Sequence, residues 1–166
     1  IEQGKVREQL EQTLRDLQAG VAAEDLPLVN QIEINPFLYR KNTIAKFQQA
    51  GVVLQSYRSL RDGKAFADPT IVQLASHYGK TSAQILGRWC VQHGFVYLPK
   101  SAAKDRMQEN VSVFDFALSE AHMAELDALT TPEALTTFRD LYRKCVTRDP
   151  SKDGTMEGVK LEITVD

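Results

Sequence analysis

The stretch that decides the fold is residues 97–110, which reads YLPKSAAKDRMQEN. A β-rich run, residues 95–98, ends in a proline, and a short polar helix is predicted to follow. Spacings of three and four residues share one helix face, and cations beside a helix N-terminus favour phosphate. The alternative is a solvated loop with ordinary surface charges. Five side chains are expected to converge on one point there: Lys100, Ser101, Arg106, Glu109 and Asn110.

Working outward, strand-like runs alternate with helical segments along the middle of the chain. Strands that alternate with helices indicate βαβ units and a parallel sheet, whose ligands bind beyond the carboxyl ends of the strands. Gln31, Tyr57 and Lys100 each lie near such an end, which favours a binding site there. The strands are predicted at residues 28–34, 52–57 and 95–98, with helices at 43–50, at 70–78 and, capped by Thr81 or Ser82, up to His93.

The two flanks of the chain are predicted to be mainly helical. Amphipathic helices are expected at residues 6–17 and 138–146, and Ser119 is expected to cap another helix between them. Residues 159–165 alternate at period two, which predicts a terminal strand. The sequence does not identify the sheet edge that this strand pairs with.

The composition is that of one globular domain. The chain has 166 residues, 43% hydrophobic and 25% charged, with a formal net charge of -2, which gives no footprint for nucleic acid or an anionic membrane. Cys90 and Cys145 form no disulfide framework and have no metal-ligand spacing around them. No long apolar run or signal peptide is found. We therefore expect a cytoplasmic protein without a metal.

Several motifs occur in a fixed order along the chain. They are residues 29–36 (VNQIEINP), 56–57 (SY), 79–89 (GKTSAQILGRW), 98–101 (LPKS) with Arg106 and Asn110, and 113–119 (VFDFALS). Together they resemble the aldo-keto reductases from about residue 27 to residue 129. The resemblance implies a parallel α/β fold, the (β/α)8 or TIM barrel, and reduction of carbonyls with NADPH. A full barrel needs about 250 residues, so the chain is expected to hold roughly half of one.

The resemblance also implies roles for individual residues. Gln31 would bond the carboxamide of the nicotinamide, and the Tyr57 ring would stack on its face. Lys100, Ser101 and Arg106 would hold the 2′-phosphate of NADPH through charge-assisted bonds. The adenine contacts would come from Glu109 and Asn110.

The resemblance is weaker directly after Tyr57. There Arg58, Ser59 and Leu60 would bind the cofactor, but Arg58 replaces the small hydroxyl residue common in the family. This departure puts the pyrophosphate contact in question. An arginine could serve a phosphate with a different geometry.

The catalytic groups that the resemblance implies have no counterpart in this sequence. The family uses Asp, Tyr, Lys and His from the first half of the barrel. The three histidines, His77, His93 and His122, fall near helix ends and are expected to be surface or capping residues. No catalytic residue is therefore assigned.

The order of the family segments suggests how the chain is organised. Residues 1–20 resemble a helix of an earlier barrel unit, 27–129 the cofactor-binding units, and 130–166 an atypical extension. The first two segments abut near Gly20 and Val21. Either intervening residues are missing from the sequence or the protein is a truncated variant.

Three functions are compatible with these observations. The first is an NADPH-dependent aldo-keto reductase that reduces a small aldehyde or ketone, expected to be a monomer if its barrel is complete. The second is a regulatory relative that binds NADPH without turnover. The third is a truncated product, since half a barrel exposes two sheet edges.

Overall fold

The computed structural model describes residues 28–135. Leu28–Thr130 form one compact unit, and residues 131–135 belong to a second, in which the Thr131 carbonyl accepts from the Leu135 amide. The predicted helices at 6–17 and 138–146 and the strand at 159–165 lie outside the described residues. No helix within residues 28–135 is long and apolar enough to cross a membrane.

A three-stranded parallel sheet organises the described unit. Its strands are β1 (Val29–Glu33), β2 (Val53–Tyr57) and β3 (Val96–Tyr97), in the order β1-β2-β3. Gln31 pairs in register with Gln55, and Gln55 pairs with Val96. The parallel sheet predicted from alternating strands and helices is confirmed.

Helices connect and follow the strands. Leu28–Thr130 contain five α-helices and two short 3₁₀ turns. The helices are α1 (Lys41–Gln49), α2 (Pro69–Tyr78), α3 (Ser82–Gln92), α4 (Lys104–Val111) and α5 (Glu120–Asp127), and the 3₁₀ turns are Pro36–Leu38 and Arg61–Gly63.

Local sequence signals explain where these helices begin and end. The Asp68 carboxylate accepts from the first amides of α2, and Gly79 ends that helix with φ 62°, a left-handed conformation that glycine adopts without a steric penalty. Thr81, rather than Ser82, caps α3 in a reciprocal capping box with Gln84. Ser119 caps α5, as predicted. The helix boundaries are thus encoded next to the helices themselves.

The two faces of the sheet differ in burial. Side chains alternate between faces along a strand, and Leu54 and Ser56 of β2 are buried on one of them. The core also includes buried side chains of the helices: Ile71, Leu74, Ile85, Leu86 and Trp89. The opposite face bears valines that are 40–46% exposed, namely Val29, Val53 and Val96. It also carries Gln31 and Tyr57, so the residues expected to bind the nicotinamide lie on the more open face.

The histidines are more involved in packing than predicted. His93 caps the C-terminus of α3, as expected, but its side chain is only 17% exposed and its Nε2 lies 2.8 Å from Asp127 Oδ1. The same oxygen accepts from Trp89 Nε1 at 2.7 Å. His122 Nδ1 lies 2.7 Å from the Tyr78 hydroxyl. Both rings therefore join α3 and α2 to α5 and are not simply surface residues.

Candidate cofactor-binding site

Gln31 and Tyr57 lie on neighbouring strands and on the same face of the sheet. Glu33 is in register with Tyr57, and Gln31 lies two residues earlier on β1. The Gln31 side chain is exposed and its Nε2 donates to Gln55 Oε1 at 2.9 Å. An amide and an aromatic ring are thus available side by side near the carboxyl ends of β1 and β2, where a planar polar ring could be bonded and stacked.

Glu33 is a buried carboxylate at this edge of the sheet, and no motif in the sequence predicts a role for it. It is 2% exposed, and its nearest donors are Arg58 Nη1 at 3.4 Å and Asn35 Nδ2 at 3.5 Å. Burial raises the pKa of Glu33 above its ordinary value, and the positive charge of Arg58 partly offsets that rise. The carboxylate therefore depends on Arg58 for compensation.

Arg58 is held between two carboxylates. Its Nη2 donates to Asp62 at 2.9 Å, while Nη1 faces Glu33. Burial lowers the pKa of Arg58, but the Asp62 and Glu33 carboxylates outweigh this and leave it raised. The Arg58 backbone is left-handed, with φ 49°, which is uncommon for a residue with a side chain. Arg58, which replaces the small hydroxyl residue common in the family, is therefore already paired with two carboxylates of the protein.

Ser59 and Leu60, also expected to contact the cofactor, contribute differently. Ser59 is 1% exposed, and its hydroxyl donates to the Ser56 carbonyl at 2.9 Å. Its side chain thus anchors the loop to the end of β2. Leu60 is half-buried, and its carbonyl accepts from the Gly63 amide at 2.9 Å. Any contact of Ser59 with a phosphate would come from its backbone.

The loop after β3 carries cations of a different kind. The Leu98 amide donates to the Ser56 carbonyl at 3.2 Å, which carries the pairing with β2 past the strand and up to the loop. Lys100 and Arg106 are exposed, and the ion pairs among residues 28–135 include neither of them. These two charges are therefore available to a ligand.

The start of α4 lacks a side-chain cap. Its N-cap residue, Ala103, accepts no bond through a side chain, so the first amides of the helix need other partners. Ser101 does not cap the helix, since its hydroxyl lies 3.1 Å from the Ala103 amide and 3.4 Å from the Ala103 carbonyl. The loop thus presents a helix N-terminus beside two exposed cations, an arrangement that suits a phosphate.

The face of α4 is divided by burial. Arg106 is exposed, Glu109 is half-buried and Asn110 is only 6% exposed. The pKa of Tyr97 on β3 is raised, mainly by burial and to a smaller extent by the electrostatic effects of Cys90 and Glu109. The Tyr97 hydroxyl has no hydrogen-bond partner among the described residues. The helical spacing brings Arg106, Glu109 and Asn110 to one side, as predicted, but only Arg106 is freely accessible.

Comparisons with known proteins agree with the motifs. The family model described as "Aldo/keto reductase family" matches residues 8–131. The chain is 40% identical over 108 residues to the uncharacterized oxidoreductase YtbE of Bacillus subtilis, covering 65% of this chain and 39% of that protein. It is 36% identical over 124 residues to glyoxal reductase of Bacillus subtilis, covering 75% and 43%. The chain therefore spans about two fifths of the length of these relatives.

Solved structures show the same relationship. A crystal structure of a Gox0644 mutant in complex with NADPH matches with a TM-score of 0.66 and 28% identity, covering 72% of this chain and 43% of that one. The described sheet and its helices are thus part of a (β/α)8 barrel, as predicted. In such a barrel the face that carries Gln31 and Tyr57 is the interior.

Proposed function

The chain belongs to the aldo/keto reductase family, and on that premise we propose that it is the cofactor-binding part of an NADPH-dependent oxidoreductase. The proposed reaction reduces an aldehyde or ketone to an alcohol. The oxidoreductase relatives and the structural neighbour in complex with NADPH support this proposal.

The observation that carries the proposal is the pair of exposed cations after β3 that form no ion pair with a described residue. Lys100 and Arg106 flank the uncapped start of α4 and form no ion pair with a described residue. A 2′-phosphate offers several charged acceptors and suits this donor set. NADH lacks that phosphate, so this region would select NADPH.

The remaining contacts would orient the two ends of the cofactor. Gln31 and Tyr57 would bond and stack the nicotinamide on the open face of the sheet, and Glu109 and Asn110 would border the adenine. The two ends of the cofactor would lie at neighbouring strands, because the chain after β3 continues the pairing with β2. A bound dinucleotide would then run along the carboxyl ends of β2 and β3.

The chemistry itself needs a hydride and a proton. NADPH supplies the hydride when bound, and this chain's residues would hold it in place. The tyrosine acid of the family has no counterpart in this sequence. The alternative function is an NADPH-binding relative without turnover.

The name of the glyoxal reductase relative supports a small aldehyde as the substrate class. The substrate would meet the nicotinamide at the carboxyl ends of the strands, near Gln31 and Tyr57.

Calorimetric titration of the protein with NADPH and with NADH tests the proposal. We expect NADPH to bind at least tenfold more tightly. Absence of NADPH binding would refute both candidate functions. A second measurement, NADPH oxidation with a panel of aldehydes and ketones, separates them, because turnover supports the reductase and binding without turnover supports the regulatory relative.

A further inference from the structure

The loop after β2 holds one cation between two carboxylates of very different exposure. Arg58 Nη1 faces Glu33, whose side chain is 2% exposed, at 3.4 Å. Arg58 Nη2 donates to Asp62, whose side chain is 68% exposed, at 2.9 Å. Of the two carboxylates bound to this guanidinium, the exposed Asp62 can therefore be replaced more readily than the buried Glu33.

The contact with Asp62 is the replaceable one. An exposed ion pair contributes little to stability, because water solvates both groups when they separate. The contact with Glu33 is different, since a buried carboxylate that loses its cation has no solvent to replace it. Arg58 can thus exchange its outer partner while it keeps the inner one.

The position of Arg58 favours a phosphate as the incoming partner. It follows Tyr57, and the Leu98 amide bonds the Ser56 carbonyl, so the loop after β2 lies beside the loop that carries Lys100. With the nicotinamide at Tyr57 and the 2′-phosphate at Lys100, the diphosphate of a dinucleotide must pass between them.

The charges around this loop are favourable to an anion. Arg40 and Arg61, like Arg58, act electrostatically on the Glu33 carboxyl. These three cations oppose two carboxylates, Glu33 and Asp62. Among the described groups that act electrostatically on Glu33, positive charge thus predominates, which favours an anion nearby.

We propose that Arg58 is a diphosphate ligand held in reserve: a phosphate oxygen replaces Asp62 on its outer edge, while Glu33 keeps the inner edge in place. The inference rests on the proposed function, because it takes the ligand to be a dinucleotide. Glu33 acts as a positioning residue, and Asp62 competes with the phosphate. A guanidinium can bond a carboxylate and a phosphate at once, which the hydroxyl common at this position in the family cannot do.

Binding of NADPH and NADH to single and double variants tests the inference. Arg58→Ser should weaken both cofactors by about tenfold, and by the same factor, since both carry the diphosphate. Asp62→Asn should tighten both by about threefold. In the Arg58→Ser background, Asp62→Asn should have no effect. Lys64→Ser removes an exposed cation from the same loop and serves as the matched control.

The outcomes separate this inference from the proposed function. If the unaltered protein binds neither cofactor, both are refuted. If Arg58→Ser leaves both affinities unchanged while Lys100→Ala weakens only NADPH, the inference alone fails. If Asp62→Asn does not tighten binding, or tightens it equally without Arg58, the ion pair is only structural and the inference also fails. Arg58→Lys keeps the charge and should lose only part of the affinity, which covers the case in which Arg58→Ser does not fold.

Discussion

Two loops at the carboxyl ends of adjacent strands carry cations in opposite states. After β2, Arg58 is bound to Glu33 and Asp62, and its backbone is left-handed, as are those of Arg61 and Asp62. After β3, Lys100 has no ion pair with a described residue, and the N-cap residue of α4 has an ordinary φ of -92°. Lys100 can thus bind a ligand without losing an ion pair, whereas Arg58 is already paired with two carboxylates.

The comparison shows that residue type alone does not indicate what a charge does. Lys100 is next to a helix start that leaves its first amides uncapped, so a phosphate there gains partners without breaking any. Arg58 must give up Asp62 to gain a phosphate, and the buried Glu33 limits how far it can move. We expect Lys100 to determine which cofactor binds and Arg58 to adjust how tightly it binds.

The largest expected effect is on cofactor selectivity. Lys100→Ala and Arg106→Ala should each weaken NADPH by about ten- to a hundredfold, because each removes a charge-assisted bond to the 2′-phosphate. NADH binding should stay unchanged. Calorimetry with both cofactors measures the difference.

An exposed lysine at the start of α1 provides the control for that experiment. Lys41→Ala removes the same charge from the described unit and should alter neither affinity. Equal losses of NADPH and NADH in Lys100→Ala would contradict the assignment of the 2′-phosphate to this loop.

The next largest effect is on stability, and here the loop after β2 should matter more than the loop after β3. Arg58→Met should lower the free energy of unfolding by about 1–3 kcal/mol at neutral pH, because it leaves the Glu33 carboxylate buried without its cation. Lys100→Met should change it by less than about 0.5 kcal/mol. Urea denaturation compares the two. The loss should largely disappear when Glu33→Gln is added to Arg58→Met, and its persistence would show that Arg58 stabilises the loop by packing alone.

The same pair should make stability depend on pH. Burial raises the pKa of Glu33 above its ordinary 4.5, so the folded state retains this proton more tightly than the unfolded state. The resulting stability is complete below pH 4.5 and is lost as pH rises through the raised pKa. Without Arg58 the pKa of Glu33 rises further, and the loss of stability at neutral pH becomes larger.

Unfolding of Arg58→Met at several pH values checks this. The destabilisation relative to the unaltered protein should be smaller near pH 4.5 than at neutral pH. The variant Glu33→Gln should remove most of that dependence, whereas Glu125→Gln, which alters an exposed carboxylate on α5, should not.

Much of the fold could be predicted because its signals are local. The caps at Asp68, Thr81 and Ser119 and the glycine at position 79 lie within a few residues of the helices they begin or end. The third strand was predicted two residues too long. Phe95 is buried and its amide bonds the Cys90 carbonyl at 3.1 Å, so it completes the end of α3 before the strand begins.

The candidate site was only partly predictable, for the opposite reason. The motifs predict which residues bind the cofactor. The partners of Arg58, however, depend on Glu33, 25 residues earlier, and on the irregular backbone that brings Asp62 back. No pattern in the sequence encodes that loop. Similarly, nothing local links His93 to Asp127, because their contact requires α3 and α5 to pack together.

The smallest expected effect tests the backbone difference between the loops. Alanine at position 58 must adopt φ 49°, which is costly for any residue with a Cβ, whereas glycine adopts it freely. Arg58→Gly should therefore be more stable than Arg58→Ala by about 1 kcal/mol. Both lose the same charge and the same ion pairs, so the difference reports the backbone alone.

The corresponding change after β3 should have the opposite sign. Ala103 has φ -92° and ψ 126°, an extended conformation that alanine adopts without strain. Ala103→Gly should destabilise the protein by about 0.4–1 kcal/mol, since glycine only adds freedom to the unfolded chain. Chemical denaturation of the three variants gives both values. If glycine were more stable than alanine at both positions, or at neither, backbone strain would not distinguish the two loops. The conformation of Arg58 would then depend only on its ion pairs with Glu33 and Asp62.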